Sequence, residues 1–234
     1  MGRILRGDAG VSMKPYYDDG KIKIYNADCR EILSGLEFDC LITDPPYGFG
    51  AYKEDVVFDF SVLKRDKACV FGYPETLLDW CFFLGKPDNY LTWWPTNGAL
   101  RGAFHSKKIQ RETEIIYIWG EINGELLSSK QTESIDPGKF GCLPTRKTCD
   151  VLRDPSPGLG FNSKHRRHPN EKPLSLMVKI LMLLGWDRIL DPFCGSGTTL
   201  EAAKELGRCA VGVEKNEAHC ETAARRLSQR TLGL

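Results

Sequence analysis

Short apolar strands alternate with helical segments along most of the chain, and that alternation leaves few folds open. "KIKIYNAD" (21–28) alternates apolar and polar residues and stops at an acid. "CREILSGL" has the spacing of a short helix, and "FDCLIT" (38–43) is a compact apolar strand. "KACVFG" (67–72) and "NYLTWW" (89–94) predict two more strands. "PETLLDWCFFLG" lies between them as a helix with Pro74 near its start and Gly85 after its end. "TEIIYIWG" (113–120) is rich in β-branched and aromatic residues, as strands are. From about 121 to 165 the periodicity fades into Gly, Pro, Ser, Thr, Lys and Arg, which predicts a loop-rich insertion outside the regular sheet. Order returns with the helix "KPLSLMVKILMLLG", the strand "DRILD", a glycine loop, the helix "GTTLEAAKELG", the strand "CAVGVE" (209–214) and a last helix, "NEAHCETAARRLSQR". The whole predicts an α/β fold with a doubly wound, mostly parallel sheet.

A chain of 234 residues, 41% hydrophobic, can bury such a core as one domain carrying an insertion. Its formal charge of +1 excludes a blanket of basic charge, so contact with nucleic acid must come from patches. "SKKIQR" (106–111), "TRK" (145–147) and "SKHRRH" (163–168), with Lys164, Arg166 and Arg167, suit phosphate contacts, although each cluster taken singly reads better as solvated surface. Trp93 and Trp94 fall on opposite faces of a strand end, so one belongs to the core. Nine cysteines, an odd number without a C-x-x-C pair, point to reduced thiols. Cys142, Cys149, His165 and His168 match no zinc-finger spacing, and no metal is expected. No apolar run reaches ~18 residues and the first twenty residues, read as a loose arm, lack a secretion signal, so the expectation is a cytoplasmic protein without a membrane partner.

"ILDPFCGSGTTLEAA" (189–203) passes from strand to helix through Gly195 and Gly197, where backbone can approach a ligand and helix N–H groups can face it. A P-loop would need a lysine after the second glycine, and none follows Gly197. A dinucleotide fingerprint would need a third small residue where Leu200 stands. Glu214 ends the next strand, where an acid in this architecture accepts hydrogen bonds from ribose hydroxyls. A cofactor with ribose, without phosphate, and with a carboxylate for the helix N-terminus is S-adenosylmethionine (SAM). The plainer alternative is a glycine turn packing a helix on a sheet, with Glu214 solvated.

Asp44-Pro45-Pro46-Tyr47 follows the strand 38–43, at the edge of the sheet where open α/β folds bind ligands. The two prolines hold Asp44 and Pro45 in extended geometry, so a carboxylate and a carbonyl are aimed rigidly. An exocyclic amine of a nucleobase is a poor nucleophile because its lone pair is delocalised into the ring. Acceptors on both of its N–H bonds favour the pyramidal form, and Tyr47 offers a face on which an extruded base stacks. The competing reading is a surface Pro-Pro turn with an Asp cap.

"DPPY" (44–47), "HPNEKP" (168–173) and "DPFCGSGTT" (191–199) together resemble the amino-group DNA methyltransferases, in the order of their β group. The resemblance spans roughly residues 21 to 230 and implies a seven-stranded sheet with one antiparallel strand. It implies a target-base half over 21–120, a target-recognition insertion over 121–167 and a cofactor-binding half over 168–234. By this resemblance Asp44, Pro45 and Tyr47 hold the target base, with Pro46 supporting them. Asp191, Phe193, Gly195, Ser196, Gly197 and Thr198 line the SAM pocket, Glu214 binds ribose, Asp28 contacts the adenine, and Asn170 and Lys172 neighbour the methionine end. The usual pattern has Thr or Asn and then Gln before Lys-Pro. Asn170 conforms and Glu171 does not, and Glu171 is expected to be a tolerated surface change. An Asp heading the tetrapeptide resembles adenine-N6 enzymes, with cytosine-N4 transfer and a catalytically silent nucleic-acid-binding module as alternatives. The implied partner is duplex DNA, and the resemblance leaves room for a homodimer and a cognate restriction endonuclease.

Overall fold

The computed structural model describes residues 13–46, 67–74, 77–95, 113–123, 151–154 and 171–229. In chain order the elements begin with β1 (Tyr17–Asp18), β2 (Ile22–Asn26), α1 (Cys29–Ile32) and β3 (Cys40–Thr43). The middle of the chain supplies β4 (Ala68–Gly72), α2 (Leu77–Leu84), β5 (Asn89–Pro95), β6 (Glu114–Trp119) and β7 (Val151–Asp154). The last part supplies α3 (Leu174–Leu184), β8 (Arg188–Asp191), α4 (Thr198–Glu205), β9 (Cys209–Glu214) and α5 (Glu217–Ser228). The strands form one sheet in the order β1-β2-β9-β8-β3-β4-β6-β5-β7.

The seven strands from β2 to β5 are the expected sheet, and β6 is its antiparallel member, pairing that way with both β4 and β5. Two short strands extend it. β1 lies antiparallel on β2, so residues 17 and 18 belong to the sheet and not to a loose arm. β7 runs parallel to β5 with Thr92 opposite Val151, which places a strand inside the stretch read as loop-rich. Pairing to a neighbour, and not apolar alternation, holds these four residues as a strand.

The sheet is buried on both faces, as parallel strands between helices require. Along β3, Cys40 and Ile42 join one core with residues of α3, α4 and α5, while Leu41 joins the other with α1 and Trp80 of α2. Trp93 is buried and Trp94 exposed, as their alternation predicts. Helix ends follow local chemistry. Pro173 precedes α3 in extended geometry, and Gly185 stops it in the left-handed region at φ 66°. The Asn216 side chain caps α5 by accepting the Ala218 N–H. Gly212 in β9 permits a close approach: a Cβ there would lie 2.6 Å from Leu200 Cδ1 and 2.8 Å from Cys194 Sγ, so α4 and its preceding loop rest directly on the strand.

Candidate active site

β8 leads through α4 to β9 on one side, while β3 is followed by β4 on the other, so the strand order reverses between β8 and β3. Ligands in open α/β sheets bind beyond the carboxyl ends of the strands at such a reversal. The glycine loop after β8, Asp44 after β3, Glu214 at the end of β9 and Asp28 after β2 all fall on this edge. Asn26 opposite Glu214 sets the register of the last two.

The glycine loop is tied down from several directions. Asp191 is buried; its Oδ1 accepts the Phe193 N–H at 3.2 Å, and burial pushes its carboxyl up to about 7 against the opposing effect of its Thr199 hydrogen bond. Cys194 N donates to Val213 O at 3.0 Å, and Gly197 N donates to Cys194 O at 2.8 Å. Gly197 starts α4 with φ 82°, and a Cβ on it would sit 2.8 Å from Ala223 Cβ of α5. A Cβ on Gly195, φ 50°, would meet open space. Glu214 closes the loop: Oε2 accepts the Gly195 N–H at 3.0 Å and Oε1 accepts the Asn216 N–H at 2.7 Å. The sequence left this acid as either a ribose acceptor or a solvated residue; the structure adds that it holds the loop.

The loop is thus held by the carboxyl groups of Asp191 and Glu214, and the Glu214 carboxylate at its edge disfavours a phosphate there and suits a ligand with hydroxyls and positive charge. With open space beside Gly195, the residues present fit a sulfonium cofactor with a ribose. Asp28 does not end a strand, as its sequence position suggested, because β2 stops at Asn26. It caps α1 by accepting the Arg30 N–H, and the Arg30 guanidinium holds its carboxyl low, at about 2.

On the other side of the strand reversal, Pro45 is buried and Pro46 half-buried, and Asp44 remains 23% exposed at the end of β3. Its Oδ2 lies 2.6 Å from Lys172 Nζ, and the same ammonium lies 3.1 Å from Oε1 of Glu114. Lys172 therefore touches Asp44, a contact that the sequence did not reveal. Glu114 was not a candidate at all.

Glu171 is not a surface change. Its side chain is 7% exposed and pairs at 2.7 Å with Arg226 Nη1, itself 6% exposed. Arg226 also binds Glu201 through Nε and donates from Nη1 to the Thr198 hydroxyl at 3.0 Å, and it reaches the Ser196 carbonyl. The departure from the usual motif is thus a buried ion pair linking "HPNEKP" to the start of α4. Arg226 was missed because it sits beside Arg225 in a helix that reads as polar. The available signal was helical phase, since Arg226 falls three residues after buried Ala223. Tyr47, Lys164, Arg166, Arg167 and Asn170 lie outside the described residues, as do Cys142, Cys149, His165 and His168.

A family model described as DNA methylase matches residues 86–225. The chain belongs to this family of DNA methyltransferases, the adenine-N6 and cytosine-N4 amino methylases. It is 28% identical over 255 residues to type II methyltransferase M.ScaI of Streptomyces caespitosus, covering 92% of this chain and 84% of that one. Two solved structures share the fold. The M1.HpyAVI–SAM complex has a TM-score of 0.58 at 24% identity, covering 88% of this chain and 99% of that one. The cytosine-N4-specific PvuII DNA methyltransferase has a TM-score of 0.67 at 15% identity, covering 95% of this chain and 92% of that one.

Proposed function

We propose that the protein transfers a methyl group from SAM to the exocyclic N6 of adenine in duplex DNA, with the base extruded into the site. The observation that carries this reading is Asp44, a partly exposed carboxylate fixed at the end of β3 on the same sheet edge as the glycine loop. SAM supplies an electrophilic methyl group on a sulfonium when bound. The carboxylate of Asp44 accepts one N–H of the target amine and the Pro45 carbonyl accepts the other, which localises the lone pair on nitrogen as positive charge develops there. Tyr47 stacks on the base. Glu214 receives the ribose hydroxyls while it holds the Gly195 N–H, and Asp28 meets the adenine end.

Adenine is favoured over cytosine because an acid heads the tetrapeptide. Incubation with methyl-labelled SAM and unmethylated DNA, followed by nucleoside analysis, tests the reading. N6-methyladenine is expected; N4-methylcytosine overturns the base assignment, and no labelled nucleoside overturns the activity.

Two further outcomes follow from the same site. Glu214→Ala removes the ribose acceptor and the tie to Gly195, and weakens SAM binding by about 1.5 kcal/mol, roughly tenfold. Unchanged calorimetric affinity in the folded variant removes Glu214 from the site. Changing Arg166 and Arg167 together to Ala lowers DNA affinity and flattens its dependence on salt, with SAM affinity unchanged. A salt slope equal to the parent's assigns the pair to solvent.

A further inference from the structure

Lys172 sits among groups that make an ion cluster costly. Its ammonium lies 4.8 Å from the centre of the Phe71 ring and 5.7 Å from that of Trp93, and its side chain is 13% exposed. Glu114 is 1% exposed. A buried ion pair contributes little to stability compared with apolar packing, so three charged groups gathered beside a reactive edge need another reason. Fold placement gives the first part of it. Glu114 begins β6, the antiparallel strand, with Ile115 opposite Gly72 and Glu114 opposite Trp93. Had β6 run with its neighbours, its first residue would lie at the far edge of the sheet.

Charge gives the second part. Lys172 against Asp44 alone would form a neutral pair, and the ammonium would draw negative charge away from the carboxylate that must accept the amine. Glu114 in its ionised form on the same ammonium offsets this, and the three groups then carry net negative charge toward a reaction centre that becomes positive. Burial works to lower the Lys172 pKa, but Asp44 and Glu114 outweigh it and raise it, so the ammonium stays charged. Burial pushes the Glu114 carboxyl above the ordinary carboxylate range, against the pull of Lys172.

Resting on the reading of Asp44 as the acceptor for the target amine, we propose that Glu114 is a positioning residue that acts through Lys172. It anchors the ammonium that fixes the plane of the Asp44 carboxylate, and it shares that ammonium's charge so that Asp44 remains a strong acceptor. The predicted signature is an effect on the chemical step that depends on Lys172 and leaves SAM binding alone.

Single-turnover methyl transfer to unmethylated duplex DNA at saturating SAM provides the test, with Glu114→Gln, Lys172→Met and the double variant beside the parent. Glu114→Gln is expected to slow the step about tenfold, with SAM affinity within twofold of the parent. In the Lys172→Met background the same change slows it no further, because a group acting through Lys172 has nothing left to act on. A parent-like rate for Glu114→Gln overturns the inference, as does an equal loss with and without Lys172. If Glu114→Gln does not fold, Glu114→Asp retains the charge and shortens the reach to Lys172; a slower step at unchanged SAM affinity is expected, and a parent-like rate overturns the inference. A parent that transfers no methyl group at all refutes the reading of the site instead.

Discussion

Asp44→Ala is expected to lower single-turnover methyl transfer by on the order of 10²-fold or more while the protein stays folded and binds SAM. The target amine becomes a nucleophile only as its nitrogen pyramidalises, and the Asp44 carboxylate is the anionic acceptor aimed at that change. Pro45 contributes only a neutral carbonyl. The substitution should leave the fold intact because Lys172 keeps Glu114 as its partner, 3.1 Å away. Asp44→Asn keeps the shape and removes the charge, so a rate as low as that of Asp44→Ala attributes the effect to charge. Single turnover with pre-bound SAM isolates the chemical step from product release. A parent-like rate for Asp44→Ala would show that the prolines at 45 and 46 only turn a corner.

The second large effect is on stability. Arg226→Met should lower the unfolding free energy by about 3 to 5 kcal/mol, the usual cost of stripping one partner from a buried ion pair. Methionine fills similar volume but leaves Glu171 and Glu201 facing one another without the guanidinium, and leaves the Thr198 hydroxyl without its donor. Glu171→Gln, the residue more usual at that place in the motif, should cost far less. The amide oxygen still accepts from Arg226, and Glu201 still carries charge. Urea denaturation of the three proteins checks the order. Arg226→Met unfolding at the parent's midpoint would mean that the cluster is replaceable by packing.

The strand CAVGVE is β9 residue for residue, and the placement of Glu214 and the glycine loop followed from reading strand, turn and helix in succession. Such features are local: a few residues decide them. The cluster of Asp44, Glu114 and Lys172 was not legible, because it joins three distant segments and depends on the direction in which β6 runs. Glu171 was misread for a related reason. A glutamate in a polar motif looks solvated until the fold sets Arg226 against it. β7 escaped because Val151–Asp154 shows little strand pattern of its own and is defined by β5 beside it.

The sheet also sets the order in which the molecule can come into being. β2 and β3 are made early, yet their parallel neighbours β9 and β8 come from the last part of the chain; Asn26 and Glu214, which face one another, are 188 residues apart in sequence. Until that late segment arrives, the backbone of Ile22–Asn26 lacks its parallel partner and its isoleucines lack their cover. Closing such long loops before any contact rewards the closure slows folding and leaves open strand edges on which nascent chains can stick together. Synthesis at lowered temperature or with chaperones in excess should therefore raise the yield of soluble protein more than any single stabilising substitution on the surface does.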